Sequence, residues 1–215
     1  IGSSGDMIVQ YALSTPYDYN TRGPMEASFL VNNEEIHPQD LDFNDDGTRM
    51  YVLGNQGDDV TEYELLYAWN VSSATFTDTF DARTEIENFL GATNGDLLTG
   101  MSFNDDGSKL YIADRRSDDV FEFDLSINYD VSTAGAVVNN LVIVGESNVR
   151  DISFNDDGSK LYVIGSQGDD VNTFPLSIPY DLSSVGTSSN HTLPGSPDNL
   201  PQAILIDNNG TTFWV

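Results

Sequence analysis

The segment FNDDGSKLYIADRRSDDVFEFDL at residues 103–125 decides the fold, because the chain repeats it. Close copies are FNDDGTRMYVLGNQGDDVTEYEL at 43–65 and FNDDGSKLYVIGSQGDDVNTFPL at 154–176. A degenerate fourth copy, IDNNGTTFWV, occupies 206–215. Successive copies start roughly 50–60 residues apart, which is the spacing of a repeat architecture.

Each copy carries the signals of short antiparallel strands. Polar and apolar residues alternate in VTEYEL at 60–65, and β-branched and aromatic residues are frequent. The turn sequences NDDG and GDDV separate these strands, and about four strands fit into one repeat. Units of this kind are typical of propeller blades. The sequence therefore predicts an all-β fold, a four-bladed β-propeller built from four-stranded antiparallel blades.

We expect one domain over 1–215, with complete blades at 32–85, 97–140 and 148–192. The remaining blade is split, with its inner strands in 200–215 and its outer strands in 1–31. Joined end to end, TTFWV and IGSSGDMIVQY continue the repeat as 159–181 does. Three explanations stay open: the ends close one blade within the chain, they complete blades between neighbouring chains, or the sequence is an excerpt from a longer array.

The composition argues against several kinds of partner and site. Among 215 residues there are 8 Lys plus Arg against 35 Asp plus Glu, for a net charge of −27, and no Cys. An acidic surface disfavours nucleic acid and anionic membranes as partners and attracts divalent cations. Without Cys there is no disulfide, thiol nucleophile or thiolate metal site. No apolar run of about 18 residues occurs, so we expect no membrane insertion.

The segment FNDDGSKLYV resembles the S-P-D-G-x-x-L-Y-V core of bacterial YVTN-type and lactonase-like propeller repeats. Those repeats are found in many secreted and surface-layer proteins. The resemblance extends over all four units, with a match of about ten residues in each. It implies a propeller fold and an extracellular or cell-surface location.

The start of each innermost strand predicts a ligand site, because it faces the central channel. Aligned at this point, the segments are PQDLDF at 38–43, LTGMSF at 98–103, VRDISF at 149–154 and PQAILI at 201–206. The predicted channel residues are Gln39, Asp40, Thr99, Arg150, Asp151 and Gln202. Arg150 beside the two acids predicts an anion or polar-ligand site, or else an ion pair that closes the channel. The insertion EIENFLGATNGD at 85–96 is predicted to overhang the same face and to set specificity.

The turn aspartates offer a second, weaker site. The stretch from Asp42 to Gly47 matches the opening of a calcium loop, but Leu53 replaces the required Glu, so NDDG is interpreted as a hairpin turn. The carboxylates of the GDDV turns should form a ring. They either bind Ca²⁺ weakly or are simply solvated side chains of turn residues. These acids are Asp58, Asp59, Asp118, Asp119, Asp169 and Asp170.

Loop aromatics recur in the S-x-x-Y-D-V-S element and are either glycan-stacking platforms or clamps between blades. They are Tyr17, Trp69, Tyr129 and Tyr180. Sequons for N-glycosylation occur at Asn70, Asn190 and Asn209, about as many as chance gives in so Asn-, Ser- and Thr-rich a chain.

No catalytic motif is visible, because the only histidines, His37 and His191, lack metal-ligand or nucleophile partners. We therefore expect no enzyme and no required cofactor, with Ca²⁺ as an option. The predicted function is an extracellular structural or binding module of a cell surface, secreted fibre or phage-like appendage. Its partners would be a surface glycan, a protein, or a second copy joined through the split blade. The alternatives are a calcium-dependent lactonase-like or lyase-like enzyme with its metal near Asp40 and Asp151, and a glycan-binding lectin.

Overall fold

The computed structural model describes residues 5–16, 18–55, 57–93, 97–166, 170–193, 201–206 and 213–214. This part of the chain forms sixteen β-strands and one α-helix, besides short 3₁₀ turns. The strands are β1 (Met7–Leu13), β2 (Arg22–Leu30), β3 (Pro38–Phe43), β4 (Arg49–Gly54), β5 (Val60–Leu65), β6 (Ala74–Phe80), β7 (Leu98–Phe103), β8 (Lys109–Asp114), β9 (Asp119–Leu125), β10 (Ala134–Val142), β11 (Val149–Phe154), β12 (Lys160–Gly165), β13 (Asp170–Pro175), β14 (Ser189–Thr192), β15 (Leu205–Ile206) and β16 (Phe213–Trp214). The helix α1 spans Ala82–Leu90 and is too short and too polar to cross a membrane.

The strands assemble into a four-bladed β-propeller, which confirms the predicted fold class. Three antiparallel four-stranded sheets follow chain order and are called here blade 1 (β3 to β6), blade 2 (β7 to β10) and blade 3 (β11 to β14). Two two-stranded sheets, β1 with β2 and β15 with β16, supply the two halves of blade 4. Blade 4 is thus the split blade, with its halves at opposite ends of the chain.

The NDDG segments fold as tight hairpin turns between the first and second strands of a blade. In blade 1 the amide of Gly47 donates to the carbonyl of Asn44 at 3.0 Å, and Gly47 takes a left-handed φ of 68°. The Asn44 side chain accepts from the amide of Arg49 at 2.9 Å, which closes the turn from the other side. Glycine is favoured here because it has no Cβ to oppose a positive φ.

The hydrophobic core lies between blades. Tyr51 of blade 1 is fully buried against Phe103 of blade 2, with ring centroids 4.5 Å apart, and Tyr111 of blade 2 packs in the same way on Phe154 of blade 3. Repeating one sequence therefore repeats one interface, since the same aromatic pair recurs from blade to blade. This packing explains why the repeat keeps a Tyr in its second strand.

Side-chain acceptors in the third strands reinforce these interfaces. The carboxylate of Glu62 accepts the amide of Val131 in the next blade at 3.0 Å, and Glu122 accepts that of Leu182 at 3.1 Å. The equivalent residue of β1, Gln10, accepts the amide of Val71 at 3.1 Å. The outer half of blade 4 therefore contacts blade 1 as the complete blades contact their neighbours.

The inner half of blade 4 lies on the other side of the gap. Ile204, just before β15, packs on Ile164 and Val171 of blade 3. Its amide donates to Asp151 at 2.7 Å. Both halves of blade 4 thus sit between blade 3 and blade 1 of one chain.

The insertion between blades 1 and 2 contains α1. Asp81 caps its first turn, Ile86 is fully buried, and Phe89 meets Phe121 edge to face at 6.2 Å. Arg83 forms an ion pair with Asp58. The helix packs against β10, the outer strand of blade 2, and residues 94–96 of the insertion lie outside the described part.

Candidate functional site

A β-bulge opens the innermost strand of each complete blade. The strand register shifts between Pro38 and Asp40 in blade 1, and the same shift recurs at the start of β7 and β11. The extra residues at these bulges are the predicted channel residues Gln39, Thr99 and Arg150. A bulge leaves one residue unpaired and redirects its side chain, so these three sit at the channel entrance without a sheet partner.

The first strands of all four blades surround a central cavity of about 350 Å³. Three acids and two serines contribute its polar groups, and apolar residues complete the wall. The lining residues are Asp40, Leu41, Asp42, Met101, Ser102, Asp151, Ile152, Ser153, Ala203, Ile204 and Leu205. The structure thus brings together Asp40 and Asp151, as the alignment predicted, and adds Asp42.

The cavity carboxylates also join one blade to the next. Asp40 accepts its neighbouring amide, Leu41, at 2.8 Å through Oδ1 and the amide of Met101 in blade 2 at 2.7 Å through Oδ2. Asp151 repeats the pattern towards the amide of Ile204 in blade 4. Each carboxylate oxygen has a second lone pair, so these groups can still accept a proton or a ligand hydrogen bond.

Small residues alternate with these acids around the ring. At the level of Asp40 and Asp151, blade 2 has Gly100 and blade 4 has Ala203. A Cβ on Gly100 would lie 2.6 Å from Oδ1 and 2.8 Å from Cα of Asp151. Blade 2 therefore has no room for a larger side chain at this level, and the two carboxylates come from blades 1 and 3, which face each other across the channel.

The acids share one electrostatic environment. Burial raises the pKa of Asp42 to about 7 and that of Asp40 to about 6, and the charge of Asp40 adds to the rise at Asp42. Burial and the charge of Asp40 also hold the pKa of Asp151 well above its usual range. Near neutral pH the cavity therefore holds both protonated and ionised carboxyl groups. Such a set can donate one proton and accept another, which is what general acid–base chemistry requires.

Asp42 was missing from the predicted channel set. Its signal was present in the sequence, because residues two apart on a strand point to the same side and Asp40 was already placed on the channel. Asp42 was interpreted instead as part of the NDDG turn, because Asp42-Phe43-Asn44 resembles the opening of a calcium loop.

The other channel residues have mainly local roles. Gln39 donates to the carbonyl of His37 at 3.2 Å, and Thr99 donates to the carbonyl of Val149 in blade 3 at 2.9 Å. Gln202 is exposed just before β15. Among the described ion pairs none involves Arg150, so it does not close the channel by pairing with the cavity acids.

Most of the described GDDV aspartates make hydrogen bonds to other groups of the same chain. Asp58 and Asp118 adopt left-handed φ values of 51° and 57°, and Asp118 accepts the amide of Val149 in blade 3 at 3.4 Å. Asn140 donates to Asp119 at 3.1 Å, and Asp170 accepts from Asn172 at 3.1 Å.

Asp59 differs from these turn acids, because burial and the charge of Glu35 raise its pKa to about 6. Asp169 lies outside the described residues. In the described part of the chain no three His, Cys, Asp or Glu side chains are placed to share a metal ion.

The loop aromatics pack on the hairpin turns of their own blades. Trp69, Tyr129 and Tyr180 all have left-handed φ values of 58–61°. Their rings lie so close to the turn glycines that a Cβ there would overlap them, as at Gly47 and Gly107. Trp69 is still 52% exposed, whereas Tyr17 lies outside the described residues.

Two of the three sequon asparagines make hydrogen bonds in the fold. Asn70 accepts the amide of Ser72 at 3.1 Å as a turn cap. The side-chain amide of Asn190 donates to Asp170. Asn209 lies outside the described residues.

No protein-family model matches the sequence. No curated protein matches it either. Solved structures do match. A putative 6-phosphogluconolactonase from Bacteroides fragilis has a TM-score of 0.55 at 17% identity, over 86% of this chain and 47% of its own. The periplasmic gluconolactonase of Pseudomonas aeruginosa has a TM-score of 0.50 at 20% identity, over 71% of this chain and 39% of its own. A functionally unknown protein from Desulfotomaculum acetoxidans has a TM-score of 0.58 at 12% identity, over 99% of this chain and 70% of its own.

These matches show that the fold is that of lactonase-like propellers, and the chain spans about half or less of the length of the two lactonases. They also correct the expectation that the protein is not an enzyme, because the names of the matched structures point to one.

Proposed function

We propose that this protein is a lactonase-like hydrolase with its active site in the central cavity. One observation carries the proposal: Asp40, Asp42 and Asp151 converge in a space of about 350 Å³ with raised pKa values. Perturbed carboxyl groups that meet in a cleft are typical of catalytic sites. The lactonase names among the matched structures support the choice of reaction.

The proposed step is hydrolysis of a cyclic ester by water. Asp40, whose pKa of about 6 is lower than that of Asp42, accepts a proton as the water oxygen bonds to the carbonyl carbon. Asp151, whose pKa is held well above its usual range by burial and by the charge of Asp40, donates its proton to the ring oxygen as the bond from that oxygen to the carbonyl carbon breaks. The product is an open-chain hydroxy acid. Asp42 sits beside this pair and can return a proton to it.

The cavity size limits the substrate. A volume of about 350 Å³ lies near the lower end of ligand pockets in general, so it suits a molecule about the size of one sugar ring. Ser102 and Ser153 supply hydroxyl groups to its wall, and Ile204 and Leu205 supply apolar surface. This mixture suits a small polar lactone.

Calcium fits this cavity poorly. A calcium ion takes 6–8 oxygen ligands. Asp40 and Asp151 already accept backbone amides from their own strand and from the next blade. Among the described residues, no group of three acidic or histidine side chains is placed to hold an ion. The proposed mechanism therefore assigns the proton transfers to the acids alone.

A fibre joined through the split blade has less support. Gln10 on one half of blade 4 and Ile204 beside the other contact blades 1 and 3 of the same chain. An extracellular location and a glycan or protein partner stay predictions from the sequence and the propeller resemblance.

A pH-stat assay tests the proposed activity with glucono-δ-lactone and its 6-phosphate as substrates. We expect hydrolysis above the spontaneous rate, and a loss of at least 100-fold in Asp40→Asn and Asp151→Asn. The matched control is Asp156→Asn, an exposed acid of the blade 3 turn, which should keep full activity. Equal rates in the wild type and both cavity variants, with folding confirmed by circular dichroism, would refute the proposal.

A further inference from the structure

Three of the eight basic residues of this acidic chain lie close together at the channel entrance between blades 2 and 3. Arg115 and Arg116 follow β8, and Arg150 occupies the bulge of β11. A hollow of about 550 Å³ opens at this point, lined by Leu97, Arg115, Arg116, Asp118 and Asn148. A cationic hollow is unexpected on a protein with a net charge of −27, so it calls for a physical explanation.

Arg115 is held in place by the backbone and by one side chain. Its amide donates to the carbonyl of Leu97 at 3.0 Å, and its Nε donates to Oδ1 of Asn148 at 3.1 Å. Asn148 itself adopts a left-handed φ of 54°, which non-glycine residues rarely do. The strained asparagine therefore positions the Arg115 guanidinium at the rim of the hollow.

Arg150 lacks a protein partner in the described part of the chain. Its Nε is buried without a hydrogen bond, and none of the described ion pairs includes its guanidinium. Burial and the positive charge of nearby Arg115 lower its pKa. The two guanidinium groups thus repel each other, and among the described residues no ion pair joins either of them to an acid.

The carboxylates around the hollow form none of the described ion pairs with Arg115 or Arg150. Asp114 is fully buried and accepts the amides of Leu97 and Arg116 at 3.1 and 3.0 Å. Asp118 accepts the amide of Val149 at 3.4 Å. Both acids make these contacts with the backbone, whereas the Arg115 side chain is held by a neutral amide.

We propose that Arg115 and Arg150 form a binding site for a small oxyanion, such as a phosphate or carboxylate group, at the entrance to the central channel. A guanidinium presents paired N–H donors that match two oxygens of such a group. An anion between the two guanidinium groups would offset their mutual repulsion. This site goes beyond the proposed hydrolysis, which does not depend on it.

Binding is tested with inorganic phosphate on the full chain, by thermal unfolding. Sodium chloride at matched ionic strength is the reference, because any salt screens the charge of so acidic a protein. We expect phosphate to raise the melting temperature beyond chloride, and the half-saturating phosphate concentration to increase at least tenfold in Arg150→Gln. Arg22→Gln is the matched control and should behave as the wild type, since Arg22 lies over the rings of Tyr11 and Tyr19 in blade 4.

Arg115→Gln provides a second test if the first variant folds poorly, and it should weaken phosphate binding to a similar degree. Gluconate and 6-phosphogluconate then identify the source of the anion. Binding of both compounds points to a carboxylate, and binding of 6-phosphogluconate alone points to a phosphoryl group. If neither compound binds, the site takes free phosphate. Equal stabilisation by chloride and phosphate, or unchanged phosphate binding in both variants, would overturn the site. Lactonase activity is not the readout, so a failure here leaves the proposed hydrolysis open to its own test.

Discussion

Replacing Asp42 by Asn should make the protein more stable at alkaline pH and change how its stability depends on pH. The side chain lines the central cavity, and burial raises its pKa from 3.8 to about 7. The folded state therefore holds the proton of Asp42 more tightly than the unfolded state does. Stability from this group is complete below about pH 4 and is lost as pH rises to about 7.

The size of the effect follows from the two pKa values. Each unit of difference corresponds to about 1.4 kcal/mol, so ionising Asp42 in the folded state costs roughly 4 kcal/mol by pH 8. Asparagine is neutral at every pH and can still accept the amide of Phe43, which Asp42 binds at 2.8 Å. The stability difference between variant and wild type should therefore rise by roughly 4 kcal/mol between pH 4 and pH 8.

Urea unfolding, followed by tryptophan fluorescence at intervals from pH 4 to pH 8, measures this difference directly. The matched control is Asp46→Asn in the adjoining turn, where hydrogen bonds from Thr48 lower the pKa of Asp46. That substitution should destabilise the protein at neutral pH, and the loss should fade as pH falls. A flat difference for Asp42→Asn across this range would refute the argument that burial raises its pKa.

Three further predictions concern the blade contacts. Gly107→Ala should lower the free energy of unfolding by about 2–4 kcal/mol, because Gly107 has a φ of 69° and a Cβ there would overlap the Tyr129 ring. In calorimetry the control Gly135→Ala should lower stability much less, since the nearest atom to a Cβ at Gly135 is 3.8 Å away. Glu122→Ala should lower the free energy of unfolding by about 2–4 kcal/mol because Lys109 and the amide of Leu182 lose their acceptor, whereas the exposed Glu64→Ala should change it by less than about 0.5 kcal/mol in urea titrations. Gly100→Ala should cost about 1–3 kcal/mol and reduce activity in the pH-stat, because the added methyl group displaces Asp151; unchanged stability and rate would contradict the tight ring geometry.

The fold could be predicted from the sequence because its determinants are local and repeated. Alternating strands, an Asn and a Gly at fixed places in each NDDG turn, and a Tyr in the second strand occur in every complete repeat. Each of these features acts over a few residues, so a single sequence shows them directly. The number of repeats then predicted four blades, including blade 4, one half of which contains Gln10 while the other follows Ile204.

The sequence alone could not identify the helix contacts, the place of Asp42 in the cavity or the neighbours of Arg150. ARTEIENFLG gives a weak helical pattern, but only the structure shows that Ile86 is buried against blade 2. Arg150 was expected beside Asp40 and Asp151, yet the β11 bulge leaves it near Arg115 of the preceding blade. A bulge shifts one side chain across the strand, and alternation rules do not anticipate it.

The amino-acid sequence by itself determined the blade, its turns and the number of repeats, because these depend on short-range backbone preferences and on hydrophobic alternation. Only the tertiary structure decided which charges meet. Asp40 and Asp151 are ordinary strand aspartates until ring closure buries them in one cavity, where lost hydration raises both pKa values and the charge of Asp40 raises that of Asp151 further. A pKa depends on everything within several ångströms in space, and in a closed ring most of those neighbours come from other repeats.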